Sequence, residues 1–245
     1  MTDGNITRVP QIRPPQGAPG AMAKVGETMN EIICGDARLL SSSIPDNSID
    51  LIFTDPPYVK EHIHLYGWLS EEAARVLKPD GFLLAYVGTY WKFEAMQLLS
   101  THLTYYWDLV SEHMGDNSIM WCSWARSRYK SILVFSKHRK HRPRRQYFDL
   151  WNSSGKDKRF HHWGQDANTA QYYIDCFSGP GDTIWDPFVG GGTTASVCKQ
   201  IGRNFIAFEI DPATADIARK RLETMQPLLI PELEETQPVL WEVSA

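Results

Sequence analysis

Short apolar runs, each closed by a turn residue, recur along most of the chain. Strands that are covered on both faces have this pattern, because neither face is open to water. Segments with helical periodicity lie between several of the runs. The runs predict strands within residues 31–36, 49–55, 82–87, 105–110, 118–124, 131–135, 183–186 and 204–210, and the periodic segments predict helices at 70–78, 91–99, 194–200 and 213–225.

The alternation of strands and helices predicts the α/β class with a largely parallel sheet. Ser70 is the expected N-cap of the helix at 70–78, and Pro79-Asp80-Gly81 is expected to end that helix. Residues 1–28 are rich in proline and glycine and predict a disordered tail, and residues 229–245 predict an acidic tail. The folded domain is therefore expected to span residues 29–228.

The composition is that of a globular chain, with 42% apolar and 22% charged residues among 245. No run approaches the roughly 20 apolar residues of a membrane helix, and the N-terminus lacks an apolar signal-peptide core. The cysteines are far apart, and no His/Cys cluster has the spacing of a zinc site. We expect a cytoplasmic, intracellular protein with reduced thiols, no metal and no membrane contact; the thiols are those of Cys34, Cys122, Cys176 and Cys198.

The net charge of −4 is unevenly distributed. Twelve of the 25 Lys and Arg residues lie between Arg126 and Phe160, where only two acids occur. From Glu209 onward, eight acids stand against three bases. Because a local basic region can attract a polyanion despite an acidic total, nucleic acid is a candidate partner.

A glycine turn follows the strand predicted at 183–186. Its pattern, Gly190-x-Gly192-x-x-Ala195, has the spacing of a nucleotide-binding turn between a strand and a helix, and Glu209 ends the next strand. A glycine turn that only packs the helix on the strand is the simpler interpretation of such a match by itself. Only 53 residues follow Gly192, whereas a dinucleotide fold begins with this turn, so the order of elements must be permuted.

A second loop, Asp55-Pro-Pro-Tyr58, closes the strand predicted at 49–55. Ligands of open α/β sheets bind at such carboxyl ends. A carboxylate, a backbone carbonyl fixed by proline and an aromatic face suit a planar base with an exocyclic amine, which needs two acceptors and a stacking surface. The simpler alternative is an Asp cap before a proline turn. The glycine loop disfavours this alternative, because both loops follow strands, as a shared ligand site requires.

Together, these loops resemble the S-adenosylmethionine-dependent DNA amino-methyltransferases of the permuted, beta type, and residues 160–165 resemble a His-x-Trp-Gly-Gln variant of phage and prophage members. The resemblance implies a doubly wound, Rossmann-like sheet of seven strands. It is carried by Asp55-Pro-Pro-Tyr58 and by residues 186–194, with support from Cys34-Gly-Asp36 and from residues 46–50, 75–81 and 208–212.

The resemblance assigns roles to individual residues. The catalytic loop comprises Asp55, Pro56, Pro57 and Tyr58, and the cofactor site comprises Asp36, Asp186, Phe188, Gly190, Gly192, Thr193 and Glu209. Among these, Glu209 is expected to bind the ribose hydroxyls and Asp36 the adenine amino group of S-adenosylmethionine. Residues 160–165 replace a family His-Pro-Thr-x-Lys-Pro motif and add Trp163 and Gln165 as cofactor contacts, whereas His161 and His162 are equally well explained as loop residues.

The reaction implied is direct methyl transfer to the N6 amine of an adenine flipped out of double-stranded DNA. Family members with Asp at the first loop position mostly modify adenine, and here that residue is Asp55. A basic insertion at about 136–160 would contact phosphates, although a solvated loop is its simpler interpretation. The residues expected to bind DNA are Lys137, Arg139, Lys140, Arg142, Arg144 and Arg145.

Three alternatives stay open at this point. The nearest is an amino-methyltransferase that acts on cytosine N4 or on RNA. A dinucleotide-dependent oxidoreductase is disfavoured by the permutation, and a catalytically silent DNA-binding module is disfavoured by the intact Asp55 loop. A second copy of the chain and a cognate nuclease are further candidate partners.

Overall fold

The computed structural model describes residues 29–113, 119–120, 124–138, 141–153 and 167–225. Both predicted tails lie outside these residues, and the boundary predicted at residue 228 stays a prediction. The strands are β1 (Glu31–Cys34), β2 (Ile49–Thr54), β3 (Leu77–Val87), β4 (Thr104–His113), β5 (Ile119–Met120), β6 (Ala125–Arg126), β7 (Tyr129–Ser136), β8 (Leu150–Ser153), β9 (Thr183–Asp186) and β10 (Asn204–Glu209). The helices are α1 (Ala37–Leu40), α2 (Leu65–Val76), α3 (Lys92–Leu99), α4 (Ala167–Phe177), α5 (Thr193–Gln200) and α6 (Pro212–Thr224).

One sheet of eight strands, in the order β1-β10-β9-β2-β3-β7-β4-β8, forms the centre of the fold. β1, β10, β9, β2 and β3 run parallel to one another. β7 is antiparallel to both of its neighbours, and β8 is parallel to β4. β5 and β6 form a separate two-stranded sheet. The carboxyl ends of β2 and β9, which carry the two candidate loops, are therefore adjacent.

Helices cover both faces of the main sheet, which confirms the doubly wound α/β class. In β3, Phe82 and Leu84 pack into the core beneath α4, α5 and α6, whereas Leu83 and Ala85 pack into the core beneath α1, α2 and α3. This alternation explains why the strand is apolar at successive positions: each side chain enters one of two cores.

Two of the predicted elements are wrong in detail. Ser70 does not cap a helix but lies buried inside α2, where its hydroxyl donates to the Leu99 carbonyl at 2.7 Å. α2 begins earlier, at Leu65, because apolar side chains upstream of Ser70 also pack on the sheet. Residues 79–81 lie within β3, where the register against β2 is irregular, so this turn bulges out of a strand and does not precede one.

The basic segment and the residues after it form elements that the sequence patterns did not predict. β8 adds an eighth strand to the seven that were expected, and α4 has no counterpart among the predicted helices. The ring of Trp151 on β8 stacks on Tyr172 of α4 with centroids 3.7 Å apart. Burial of this aromatic pair, which no local periodicity announces, holds the segment against the sheet.

Candidate functional site

A pocket of about 460 Å³ opens at the carboxyl edge of the sheet, between the ends of β1, β2, β3, β9 and β10. From β2 the chain continues to β3 on one side of the sheet, and from β9 it continues to β10 on the other side, so the topological switch point lies between β2 and β9. Open α/β sheets bind ligands at such a point. The pocket wall contains these expected site residues: Asp36, Asp55, Pro57, Asp186, Phe188, Gly190, Thr193 and Glu209.

Tyr58 turns back onto the catalytic loop. Its hydroxyl donates to the Asp55 carboxylate, and its side chain lies against Gly88, where an added Cβ would stand 3.1 Å from the Tyr58 Cβ. Pro56 is buried and Pro57 is exposed. The loop is thereby held between β2 and the end of β3, with the Asp55 carboxylate facing the pocket.

Burial raises the pKa of Asp55, and the positive charge of Lys130 and the hydrogen bond from Tyr58 oppose that rise. The Lys130 Nζ lies 3.9 Å from the Asp55 carboxylate and 3.2 Å from the Tyr58 hydroxyl. Burial also raises the pKa of Tyr58, together with the nearby charge of Asp55. The carboxylate is therefore a poorly hydrated acceptor, suited to an amine donor.

The glycine turn lets the backbone approach the pocket and α6 at once. Gly190 and Gly192 have φ values of +50° and +80°. A Cβ on Gly192 would lie 3.0 Å from that of Ala218, so the turn and α6 pack too closely for a side chain. The buried Arg221 donates to the Gly191 carbonyl at 3.1 Å and fixes the turn from below.

Glu209 and Asp186 hold the same turn through their carboxylates. Glu209 accepts the Gly190 N–H at 3.0 Å, and Asp186 accepts the Phe188 N–H at 3.1 Å and the Thr54 hydroxyl at 2.7 Å. Burial raises the pKa of Asp186 to about 6, although hydrogen bonds from Thr194, Thr54 and Phe188 lower it in part. Asp186 therefore orders the turn and joins it to β2.

Asp36 lies in the pocket wall as the N-cap of α1, where it accepts the Arg38 N–H. The Arg38 guanidinium pairs with the same carboxylate at 2.6 Å, and this hydrogen bond is the main cause that lowers the pKa of Asp36. Asp36 is thus held ionised as an acceptor at the pocket.

The pocket suits the cofactor implied by the resemblance. Its volume lies within the range of small-molecule sites, about 300–1,000 Å³. The carboxylates of Asp36 and Glu209 in the pocket wall offer acceptors for an amino group and for ribose hydroxyls. The half-buried Phe188 ring, packed edge-on against Trp68, supplies an apolar wall.

The described residues of the basic run lie away from this pocket, and their expected contact with DNA stays a prediction. Lys137 donates to the Leu77 carbonyl at the amino end of β3, and Arg144 pairs with Asp182, which precedes β9. Arg142 lies with Asp50 and Asp182 around a second, small pocket at that amino edge, and Arg145 pairs with Asp175 at the end of α4. Asp50 and Asp55 are five residue steps apart along β2 and the position that follows it, which is roughly 16 Å.

Other expected contacts fall outside the described residues: Trp163, Gln165, Arg139 and Lys140. The sequence reasoning also missed residues that the structure brings to the site, namely Arg38, Thr54, Lys130 and Arg221. Arg38 and Thr54 border predicted motifs and could have been found by that proximity. Lys130 and Arg221 are distant in sequence from the loops they contact, so no local signal marks them.

Two features are absent from the described part of the chain. Within it, no helix is long and apolar enough to cross a membrane. Nor does any group of three or more His, Cys, Asp or Glu side chains there have the arrangement of a metal site.

Known proteins share both the sequence pattern and the fold. Residues 49–220 match the N6_N4_Mtase family, described as DNA methylase. The type II methyltransferase M.HpaI of Haemophilus parainfluenzae is 25% identical over 79% of this chain and 74% of its own length. M.HinfI of Haemophilus influenzae is 26% identical over 83% of this chain and 71% of its own.

Solved structures agree in fold. The cytosine-N4-specific PvuII DNA methyltransferase has a TM-score of 0.68, is 18% identical, and matches over 78% of this chain and 85% of its own. The M1.HpyAVI complex with S-adenosylmethionine has a TM-score of 0.65, is 22% identical, and matches over 78% of this chain and 98% of its own. The likeness to phage members stays a prediction, since the relatives named here are bacterial. The family match, together with the two loops at adjacent strand ends, establishes that the chain belongs to the N6_N4_Mtase family of DNA methylases.

Proposed function

We propose that the protein methylates the N6 amine of an adenine that has been flipped out of double-stranded DNA. The observation that carries this proposal is the position of Asp55, which faces the same pocket as Asp36 and Glu209. An acceptor for the target amine thus lies beside acceptors for the methyl donor. S-adenosylmethionine, the cofactor of the M1.HpyAVI complex, supplies an electrophilic methyl group when bound.

The protein's own groups would bind and orient the target base and polarise its amine. The Asp55 carboxylate would accept a hydrogen bond from the target amine and draw electron density toward its nitrogen, and the Pro56 carbonyl would accept the second N–H. Tyr58 would stack on the base and recover part of the stacking energy that flipping costs. The proton released from the amine passes to Asp55 or to water.

The choice of adenine over cytosine depends on Asp55 through the family resemblance, since both bases offer an exocyclic amine. PvuII methyltransferase acts on cytosine N4, but its 18% identity concerns the fold alone. Digestion of methylated DNA to nucleosides, followed by mass spectrometry, tests the proposal directly. N6-methyladenine is the expected product; N4-methylcytosine without it would contradict the adenine assignment and leave DNA methylation standing.

The DNA would approach at the carboxyl edge of the sheet. β7 runs antiparallel to β3, so its first residue, Tyr129, lies at this edge together with the preceding Arg128. Arg126 and Arg128 are exposed, and the adjacent Trp124 is 76% exposed. Cations interleaved with aromatic side chains suit phosphates and unstacked bases. The proposal favours this surface over residues 137–145, whose contact with DNA stays a prediction.

A homodimer and a cognate nuclease complete the proposal. The relatives' description as type II methyltransferases supports the nuclease partner. Sedimentation of the purified protein across a concentration series tests the homodimer. Cleavage of unmethylated but not of methylated host DNA by a nuclease encoded beside this protein would support the second partner.

A further inference from the structure

Lys130 lies where β7 passes the catalytic loop, 72 residues from Tyr58 along the chain. Its Nζ lies 3.9 Å from the Asp55 carboxylate and 3.2 Å from the Tyr58 hydroxyl. The same ammonium stands over the Tyr58 ring, 4.9 Å from its centroid, and 5.8 Å from that of Tyr86 on β3. One cation thus lies close to Asp55 and Tyr58 of the catalytic loop and to Tyr86 of the neighbouring strand.

We propose that Lys130 is a positioning residue for methyl transfer, which fixes the charge and orientation of Asp55 and the setting of the Tyr58 ring. This inference rests on the proposed function. The motifs that carry the family resemblance do not include Lys130, and the sheet pairing alone brings it to the loop.

The geometry separates this role from that of an ordinary ion pair. At 3.9 Å the ammonium is too far from Asp55 for a hydrogen bond, so it attracts the carboxylate without itself occupying a lone pair. An incoming amine therefore does not have to displace the ammonium. The lysine side chain is only 23% exposed, so its charge is weakly screened.

The ammonium also restrains Tyr58 from two sides. It donates to the tyrosine hydroxyl, and it lies near the negative face of the ring. A ring held in this way presents a fixed surface for stacking. Removal of the ammonium would take away both restraints and leave only the hydrogen bond to Asp55 and the contact with Gly88 to hold the ring.

The charge of Lys130 predicts a change in pH dependence. Burial raises the pKa of Asp55 and Lys130 lowers it, so removal of the lysine would raise that pKa further. If transfer needs the ionised carboxylate, the acid limb of the pH–rate profile then moves to higher pH. The charged or titratable groups that face Asp55 or line its pocket are Asp36, Arg38, Tyr58, Glu61, His62, His64, Tyr66, Tyr86, Lys130, Asp186 and Glu209.

A matched control is Lys92, which contacts the residue that follows Lys130 on β7. Lys92 is 26% exposed, pairs with Asp108 of β4 and donates to the Ser131 hydroxyl at 3.0 Å. It is a half-buried lysine paired with a carboxylate, as Lys130 is, but it lies away from the pocket. Lys92→Met therefore reports what removal of a half-buried ammonium does to the fold alone.

The experiment compares wild type, Lys130→Met, Lys130→Arg and Lys92→Met in single-turnover methylation of duplex DNA with labelled S-adenosylmethionine, from pH 5.5 to 9. For Lys130→Met we expect at least a tenfold lower rate at neutral pH, an acid limb moved to higher pH, and cofactor affinity within about twofold of wild type. Lys130→Arg should recover part of the rate and return the limb toward its original position. Lys92→Met should keep the wild-type profile.

Distinct outcomes separate the inference from the proposed function. If Lys130→Met lowers only the melting temperature, as Lys92→Met does, with an unmoved pH profile, Lys130 is structural and the inference is wrong. If Lys130→Met fails to fold, Lys130→Gln and the profile of Lys130→Arg decide the same question. A wild-type protein that methylates no DNA would contradict the proposed function itself.

Discussion

The two edges of the sheet use the same residue types in different ways. At the carboxyl edge, Asp186 and Glu209 accept hydrogen bonds from backbone N–H groups, and their oxygens face a pocket. At the amino edge the carboxylates are neutralised by cations: Asp50 by Lys78, Asp182 by Arg144, and Asp175 by Arg145 and Arg203. Asp186 and Glu209 thus shape a ligand pocket through backbone N–H groups, whereas the carboxylates of the amino edge are used in ion pairs within the fold. A count of charges along the sequence does not distinguish the two.

The largest effect is expected at Asp55. Asp55→Ala should reduce methyl transfer by roughly 10²–10⁴-fold, because the amine loses the acceptor that polarises it. Cofactor affinity should stay within a few fold, and Asp55→Asn should also be poor because half of its amide presents donors to a donor. Radiolabelled methyl transfer with separate calorimetry of cofactor binding measures both. Substantial turnover by Asp55→Ala would remove the carboxylate from the mechanism.

Asp186 should make the stability depend on pH. A carboxyl whose pKa rises on folding from 3.8 to about 6 binds its proton more tightly in the folded state. The free energy of unfolding should therefore fall as pH rises from about 4 to about 6, by up to roughly 3 kcal/mol from this group. The free energy of unfolding of Asp186→Asn should not show that decline, so the variant should become more stable relative to wild type as pH rises.

Urea denaturation of both proteins at several pH values measures this difference. Asp182→Asn is the amino-edge control: it should lower stability at pH 7 by up to about 1 kcal/mol, the opposite sign, because it weakens the pair with Arg144. An Asp186→Asn variant less stable than wild type by the same amount at every pH would show that burial does not dominate at Asp186.

Replacement of Glu209 should weaken the binding of the cofactor and leave the binding of DNA unchanged. Glu209→Ala is expected to weaken cofactor binding by about 1.5–3 kcal/mol, the range for hydrogen bonds to charged groups, which is roughly 10- to 100-fold in Kd. This effect includes the support that Glu209 gives to the Gly190 N–H. Glu209→Gln, which keeps one acceptor oxygen, should bind the cofactor better than Glu209→Ala. Unchanged affinity by calorimetry would exclude Glu209 from the cofactor site.

The smallest effects test the two basic regions against each other. Joint replacement of Arg126 and Arg128 by Ala should weaken binding to all DNA sequences and lower the slope of log affinity against log salt by up to about 0.9 for each phosphate that is no longer neutralised. The matched pair Arg144 and Arg145, replaced likewise, should leave that slope unchanged and lower stability by up to about 1 kcal/mol per ion pair. Fluorescence anisotropy across a salt series measures the slopes. The reverse result would restore residues 137–145 as the DNA-binding surface.

Much of the site was predictable because its loops are local. Asp55-Pro-Pro-Tyr58 and the turn at Gly190 each combine an apolar run with residues whose backbone or side-chain chemistry is distinctive at that spacing, and both pocket walls that they form were expected. The position of Glu209 at the end of β10 follows the same local rule. Elements stabilised by remote contacts were missed or misplaced. α4 and β8 have no strong local pattern. Ser70 has the sequence context of a helix cap, but its hydroxyl donates a hydrogen bond to the Leu99 carbonyl inside the fold.

The sequence by itself determined the α/β class, the permuted order of the two loops and their chemistry, because short-range patterns dictate which strand each loop closes. Only the tertiary structure decided which charges meet. Antiparallel pairing of β7 with β3 carries Lys130 to Asp55 at one edge and Lys137 to Leu77 at the other, although seven positions separate the two lysines. A strand that crosses the sheet places its two ends on opposite sides of the molecule, so proximity in sequence cannot show which basic residues face the site.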